Sequence, residues 1–296
     1  MELNEVWCNF FSDGFFGYGE AGDFRYWSLA HFIPLILLGL SIFLIYRYRA
    51  FFRTWKHEET FRFVYAFVML MVEMSYFWRI MYVGSSDPTE HHLLDKLPLQ
   101  VCEWTCICAC FMMMKKSKWL YQICFYVCLT AGLFPLIMPA VIDSTGPAYY
   151  RYYQFWLEHI LPMVGVFYMT FVHGFRATLP GVGLAVGGLG ALAVPCIIAN
   201  MKIPGVNYMY LATSTDGDSI VNILPENIWV RLVLFAAVIG ALLVALYFLS
   251  RYLDRKFSPS APLLAEGQAS EAKPSDDGAE PQAPASQAAT PSENEQ

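Results

Sequence analysis

Apolar residues gather into seven runs, at about residues 27–46, 61–83, 97–114, 119–141, 152–172, 181–201 and 228–250, and polar residues collect between them. Each run has roughly the 17–25 residues that a helix rising ~1.5 Å per residue needs to cross a bilayer's hydrocarbon core. The pattern predicts an all-α, polytopic membrane protein, a bundle of seven transmembrane helices within residues 27–256. Residues 1–26 form an acidic extracytoplasmic segment with no apolar core, so no cleavable signal peptide is expected there. Residues 257–296 are rich in Pro, Ala, Ser, Glu, Gln and Asp and hold too little apolar surface to fold, which predicts a disordered cytoplasmic tail.

The loops set the orientation, because cytoplasmic loops carry the excess of Lys and Arg. Arg47, Arg49, Arg53, Lys56, Lys115, Lys116, Lys118, Arg176, Arg251, Arg255 and Lys256 fall on one side. Only Arg25, Lys96, Arg151 and Lys202 fall on the other. The N-terminus is therefore expected outside and the C-terminus in the cytoplasm. The long loop 202–227 contains Asn207-Tyr208-Met209-Tyr210-Leu211, too apolar for a free linker, and is expected to fold back over the outer mouth of the bundle. In the sixth run, Gly183 and Gly187 lie four apart, a spacing that suits close packing on a neighbouring helix.

Composition sharpens this picture without changing it. With 56% hydrophobic and 15% charged residues and a mean hydropathy of +0.41, the chain is no soluble globule. The formal charge of −6 owes much to the acidic tail, says little about partners, and gives no basis for nucleic-acid binding. Seven of the eight cysteines lie in apolar runs, where they read as small hydrophobes rather than as a disulfide framework.

Chemistry enters with the polar residues buried in those runs, which are costly at membrane depth and mark function by default. The third run reads as a helix starting at Pro98, which puts Cys102 about five residues and ~8 Å below the outer surface. His159, in the fifth run, lies at nearly the same level, ~10 Å deep. A thiol and an imidazole at one depth suit a nucleophile with a general base, the arrangement of acyl transfer through a thioester. His31, Glu73, Arg79, Gln100, Asn200 and Asn207 fall in or beside the same outer half and are expected to line a polar cavity open to the outer leaflet. Glu103 and Glu158 sit next in sequence to Cys102 and His159, about 100° round the helix, and are expected to pair with Arg79 or Arg231 rather than join the chemistry. Arg231, near a helix end, is expected to snorkel to the interface. The Cys102, Cys106, Cys110 row resembles a metal stripe, but one straight helix rarely closes a three-ligand site. Cys106, Cys108 and Cys110 are read as core, and neither a metal nor a cofactor is expected.

Five motifs in order give the chain a family likeness: Val72-Glu73-Met74-Ser75-Tyr76, Leu97-Pro98-Leu99-Gln100-Val101-Cys102, Arg151 to His159, Tyr168 to Arg176, and Asn207-Tyr208-Met209-Tyr210-Leu211. The series resembles that of the YwaF-type integral membrane proteins, which include the animal transmembrane protein 164. The resemblance covers about residues 28–250 and implies a lipid acyltransferase with Cys102 as nucleophile and His159 as its partner. It also implies membrane phospholipids and lysophospholipids as partners, and a cell or endoplasmic reticulum membrane as the location. Bacterial-type members often carry His two residues before the Cys. Here Gln100 stands there, able to donate a hydrogen bond but not to take a proton at neutral pH, which leaves His159 as the base. Two other readings stay open: a lipid-binding protein or transporter with Glu73 and His31 as proton-coupling groups, and a structural role in which the polar residues bond helix to helix.

Overall fold

The computed structural model describes residues 26–83, 97–139, 147, 150–203, 206–211 and 227–257. The expected N-terminal segment and C-terminal tail lie almost wholly outside the described residues. Every apolar run carries helix, and the described residues contain no strand. The elements are α1 (Leu29–Arg47), α2 (Arg49–Thr54), α3 (Glu58–Val83), α4 (Val101–Lys115), α5 (Lys118–Val127), α6 (Leu133–Ile137), α7 (Tyr150–Phe171), α8 (Leu179–Lys202) and α9 (Ile228–Phe257). A single wider turn at Cys128–Gly132 joins α5 to α6, so that the fourth run is continuous.

Five segments are long and apolar enough to cross a membrane: Leu29–Arg47, Glu58–Trp78, Lys118–Ile137, Leu179–Lys202 and Trp229–Lys256. α4 and α7 are the other two. α4 has only 15 residues, about 22 Å at helical rise, and α7 carries Arg151, Glu158 and His159 among its apolar residues. The short and the polar helix are the ones that bear the candidate nucleophile and base.

α7 is the axis of the bundle and packs against α1, α3, α4 and α5, while α4 packs on α3, and α8 lies between α5 and α9. The core between them includes Met69, Cys106, Ala109, Met112, Met113, Tyr121, Tyr126, Val166, Tyr168 and Met169, all nearly or fully buried. Large apolar side chains such as Phe32, Ile36, Phe43, Phe67, Val233 and Phe248 face outward, as a helix surface in lipid requires.

Local chemistry fixes the helix ends. Lys116, in the left-handed region at φ 49°, stops α4, and the Ser117 hydroxyl then caps α5 by accepting from Leu120 N at 3.3 Å. Thr178 does the same for α8, accepting from Gly181 N at 3.1 Å, with Pro180 in the first turn. Three of the arginines at this end of the bundle satisfy helix C-terminal carbonyls. Arg62 donates to Met113 O (2.5 Å) and Met114 O (3.1 Å), Arg53 to Phe171 O (2.7 Å) and Val172 O (2.8 Å), and Arg176 to Thr170 O (2.9 Å). Each places a cation on the negative end of a helix dipole.

Two packing expectations change here. A Cβ added at Gly183 or Gly187 would meet open space, so this pair is not a helix-packing face. The close approaches are at Gly181, against the Gln122 side chain, and at Gly188, 2.9 Å from Trp104. Helix α4 also starts later than expected. Leu97–Gln100 form a turn, with Leu99 N bonded to Leu97 O at 2.7 Å, and the helix begins at Val101. Cys102 therefore sits in the first turn of α4 instead of five residues along it.

Candidate active site

A ring nitrogen of His159, the Sγ of Cys102 and a carboxylate oxygen of Glu158 lie within 4.8 Å of one another. Cys102 comes from the first turn of α4, and the other two come from the middle of α7. Cys102 is half-buried, whereas Glu158 and His159 are buried at 4% and 6% exposure. The thiol is thus the most exposed of the three groups.

Each of the two α7 groups is held by its own helix. His159 Nδ1 lies 2.8 Å from the carbonyl of Phe155. That oxygen can only accept, so Nδ1 carries the proton and Nε2 keeps its lone pair. The Phe155 ring stacks against the imidazole at 4.5 Å between centroids. Glu158 Oε2 accepts from Gln154 Nε2 at 2.9 Å and from Arg151 Nη1 at 3.3 Å. Arg151 bonds in turn to Gln154 Oε1 and lies over the Tyr76 ring at 4.3 Å. Residues 151, 154 and 158 are three and four apart and so share one helix face.

Glu158 overturns an expectation. It pairs with Arg151 and Gln154 on its own helix, and its carboxylate lies within 4.8 Å of the thiol and the imidazole. Helical spacing sets only the Cα–Cβ direction of neighbouring residues. The longer glutamate side chain turns back from there, steered by two donors on its own face. The Glu103 carboxylate accepts from Gln100 N at 3.1 Å and so caps the start of α4. Arg231 is buried at 1% exposure and does not snorkel.

The other expected cavity residues divide sharply. Glu73 is 1% exposed, and neither of its carboxylate oxygens has a hydrogen-bond partner among the described residues. His31 is fully buried and bridges. Its Nε2 donates to Leu136 O at 3.0 Å, and its Nδ1 accepts from Trp27 N at 3.3 Å. Nε2 thus ties α1 to α6, while Nδ1 holds the backbone just before α1. Gln100 and Asn200 hold the 206–211 segment. Gln100 Oε1 accepts from Met209 N at 3.1 Å, and Asn200 bonds twice to Tyr208, at 3.0 Å to its carbonyl and 2.7 Å from its amide. Tyr208 O–H reaches back to accept from Leu97 N at 2.9 Å. This part of the long loop does fold back, onto α8 and the turn that leads into Cys102, with Tyr208, Met209 and Leu211 packed against Leu192, Cys196 and Ala199. Asn207 opens that turn. The side chain of Arg79 lies outside the described residues. Cys106 and Cys110 are core, their thiols donating to Met69 O and Ala66 O.

A second polar cluster, at the opposite end of α7, had no place in the sequence reading. Glu58 Oε1 accepts from Arg62 Nε (2.8 Å), Tyr168 O–H (3.0 Å) and His173 Nε2 (2.8 Å). Burial holds the His173 imidazole below its ordinary pKa, against the opposing pull of Glu58. The four-residue spacing of Glu58 and Arg62 was the available signal for this cluster.

Fold and site together define an all-helical membrane protein in which a thiol, an imidazole and a carboxylate meet between two helices. The chain belongs to the TMEM164 family, which it matches over residues 26–248. No curated protein and no solved structure matches closely enough to add to that assignment.

Proposed function

We propose that this protein is a membrane-embedded lipid acyltransferase that carries a fatty acyl group between phospholipids on Cys102. The observation behind this reading is the approach of Cys102 and His159 from two different helices to within 4.8 Å, close to hydrogen-bond reach, with His159 Nε2 left free to take a proton. The Cys102 proton passes to Nε2 as sulfur attacks the ester carbonyl carbon of a phospholipid. The new S–C bond forms, the ester C–O bond breaks, and the imidazolium returns the proton to the leaving oxygen to release a lysophospholipid. A lysophospholipid hydroxyl then attacks the thioester, giving its proton to His159, and sulfur departs to recover the thiol. Glu158 stabilises the imidazolium while it exists. The Cys102 amide, in the first turn of α4, has no carbonyl below it in the helix and is available to the oxyanion.

In this reading all seven helices cross the bilayer with the N-terminus outside, and the pocket serves the outer leaflet. Intact-protein mass spectrometry after incubation with phospholipid tests it. An acyl adduct that maps to Cys102 and is released by hydroxylamine is expected, and its absence from protein that nevertheless remodels lipid overturns the covalent route.

One observation favours a second reading. The buried Glu73, without a hydrogen-bond partner among the described residues, is the kind of group a proton-coupled transporter or lipid-binding protein would use at the same site. That protein would tolerate Cys102→Ser and fail on Glu73→Gln.

A further inference from the structure

We propose that Cys102, Glu158 and His159 also form a binding site for one thiophilic divalent cation of the zinc class, and that the cation closes the site by taking the sulfur out of reach of substrate. The regulatory half of this proposal rests on the acyl-transfer reading above, whereas the binding half does not.

The donor set is one that zinc uses, a thiolate, an imidazole nitrogen and a carboxylate oxygen, which with one further ligand complete a tetrahedron. All three donor atoms are already within 4.8 Å of one another. In a tetrahedral site with bonds of ~2.0–2.3 Å the donors stand ~3–4 Å apart, so side-chain rotation alone closes the gap. More telling is the set of contacts behind the donors. A metal-binding histidine typically gives its other N–H to a backbone carbonyl, and a metal-binding carboxylate is itself hydrogen-bonded. His159 does the first through Nδ1 and Phe155 O (2.8 Å), which presents Nε2 as ligand. Glu158 does the second: Oε2 is held by Gln154 and Arg151.

The surrounding charge points the same way. Glu73, nine-tenths and more buried and with neither oxygen partnered among the described residues, lies within electrostatic range of Glu158 and Glu103. Arg151 bonds to Glu158 and offsets part of this negative charge. A cation here gains the attraction of carboxylates already removed from water, and the Glu73 carboxylate adds to that field. Binding displaces the Cys102 thiol proton to solvent, while Nε2 and a Glu158 carboxylate oxygen contribute lone pairs. The cation draws negative charge from the bound sulfur and occupies the side from which an ester would approach, so the sulfur attacks more slowly.

Cobalt(II) titration of the full-length protein in lipid nanodiscs tests the binding half directly. One Co²⁺ per chain is expected, with the thiolate-to-cobalt charge-transfer band and the strong visible bands of a tetrahedral site, both abolished by added Zn²⁺. Cys102→Ser should remove the charge-transfer band, and His159→Ala and Glu158→Gln should each weaken binding by at least tenfold. Gln154→Ala, which loses only an outer partner, should weaken it by about 10–100-fold. Cys106→Ser and Cys110→Ser should leave the spectrum unchanged. No charge-transfer band in the parent protein, or one that survives Cys102→Ser, overturns the site. The acyl adduct on Cys102 is measured in parallel, with chelator and with Zn²⁺. An adduct that forms equally in both sinks the regulatory half. A cobalt band without any adduct in chelator leaves the metal site standing and removes the acyl-transfer reading instead.

Discussion

Asn200→Ala is the substitution whose cost can be worked most directly from contacts. Asn200, near the end of α8, holds Tyr208 at both backbone groups, by 3.0 Å from Nδ2 to its carbonyl and 2.7 Å from its amide to Oδ1. The segment it holds packs on Leu192, Cys196 and Ala199, where little water is at hand to replace the lost partners. A hydrogen bond contributes ~1 kcal/mol net, and more where a buried partner is left unmade, so losing two should cost about 2–4 kcal/mol in the opening of residues 206–211. Because every ~1.4 kcal/mol is tenfold, amide exchange in this segment should quicken by about thirty-fold to several hundred-fold. Hydrogen-exchange mass spectrometry in nanodiscs reads this locally, and α8 itself should keep its protection. Gln100→Ala removes a single bond to Met209 N and should quicken exchange by about tenfold or less. If Asn200→Ala leaves the exchange of 206–211 unchanged, or Gln100→Ala exceeds it, the clamp does not hold the loop.

Cys102→Ser and His159→Ala should each abolish lipid remodelling while the protein stays folded, and the double variant should be little worse than either, since groups that act as a unit are non-additive; Cys106→Ser and Cys110→Ser should remain active. Gly181→Ala should lower thermal stability by about 1–3 kcal/mol despite the helix propensity it gains, because its Cβ would lie 2.7 Å from Gln122 Cδ, whose amide is fixed by Arg176 O and Thr178 N. A neutral or stabilised Gly181→Ala refutes that packing. Arg62→Leu should cost about 3–5 kcal/mol by stranding Glu58 and the α4 C-terminal carbonyls, seen as a lower thermal transition in detergent. A thiol label at Ser117 should react only after permeabilisation, and its reaction in intact cells would invert the orientation.

The legible part of this chain was the part that one helix decides by itself. In lipid every backbone polar group must be satisfied within its own helix. Apolar run length therefore predicted helices at about 27–46, 61–83, 119–141, 181–201 and 228–250, within a few residues of those observed. Counting rise per residue along the two runs put Cys102 and His159 at one level, and the two side chains do meet, although α4 begins three residues later than that count took. The start of α4 was not legible, because the 97–100 turn is held by Tyr208 and Met209, more than a hundred residues away. The use of each polar side chain was equally out of reach. His31 and Glu73 look alike in sequence, as lone ionisable residues in apolar runs. Tertiary packing gives His31 a partner at each ring nitrogen and leaves Glu73 with none among the described residues. Glu158 was placed on the wrong side by helical angle, and only the ladder from Arg151 and Gln154 turns its carboxylate into the pocket. Helix periodicity is a property of the backbone, whereas the meeting of a thiol, an imidazole and a carboxylate depends on rotamers set by hydrogen-bond partners and on how α4 packs against α7.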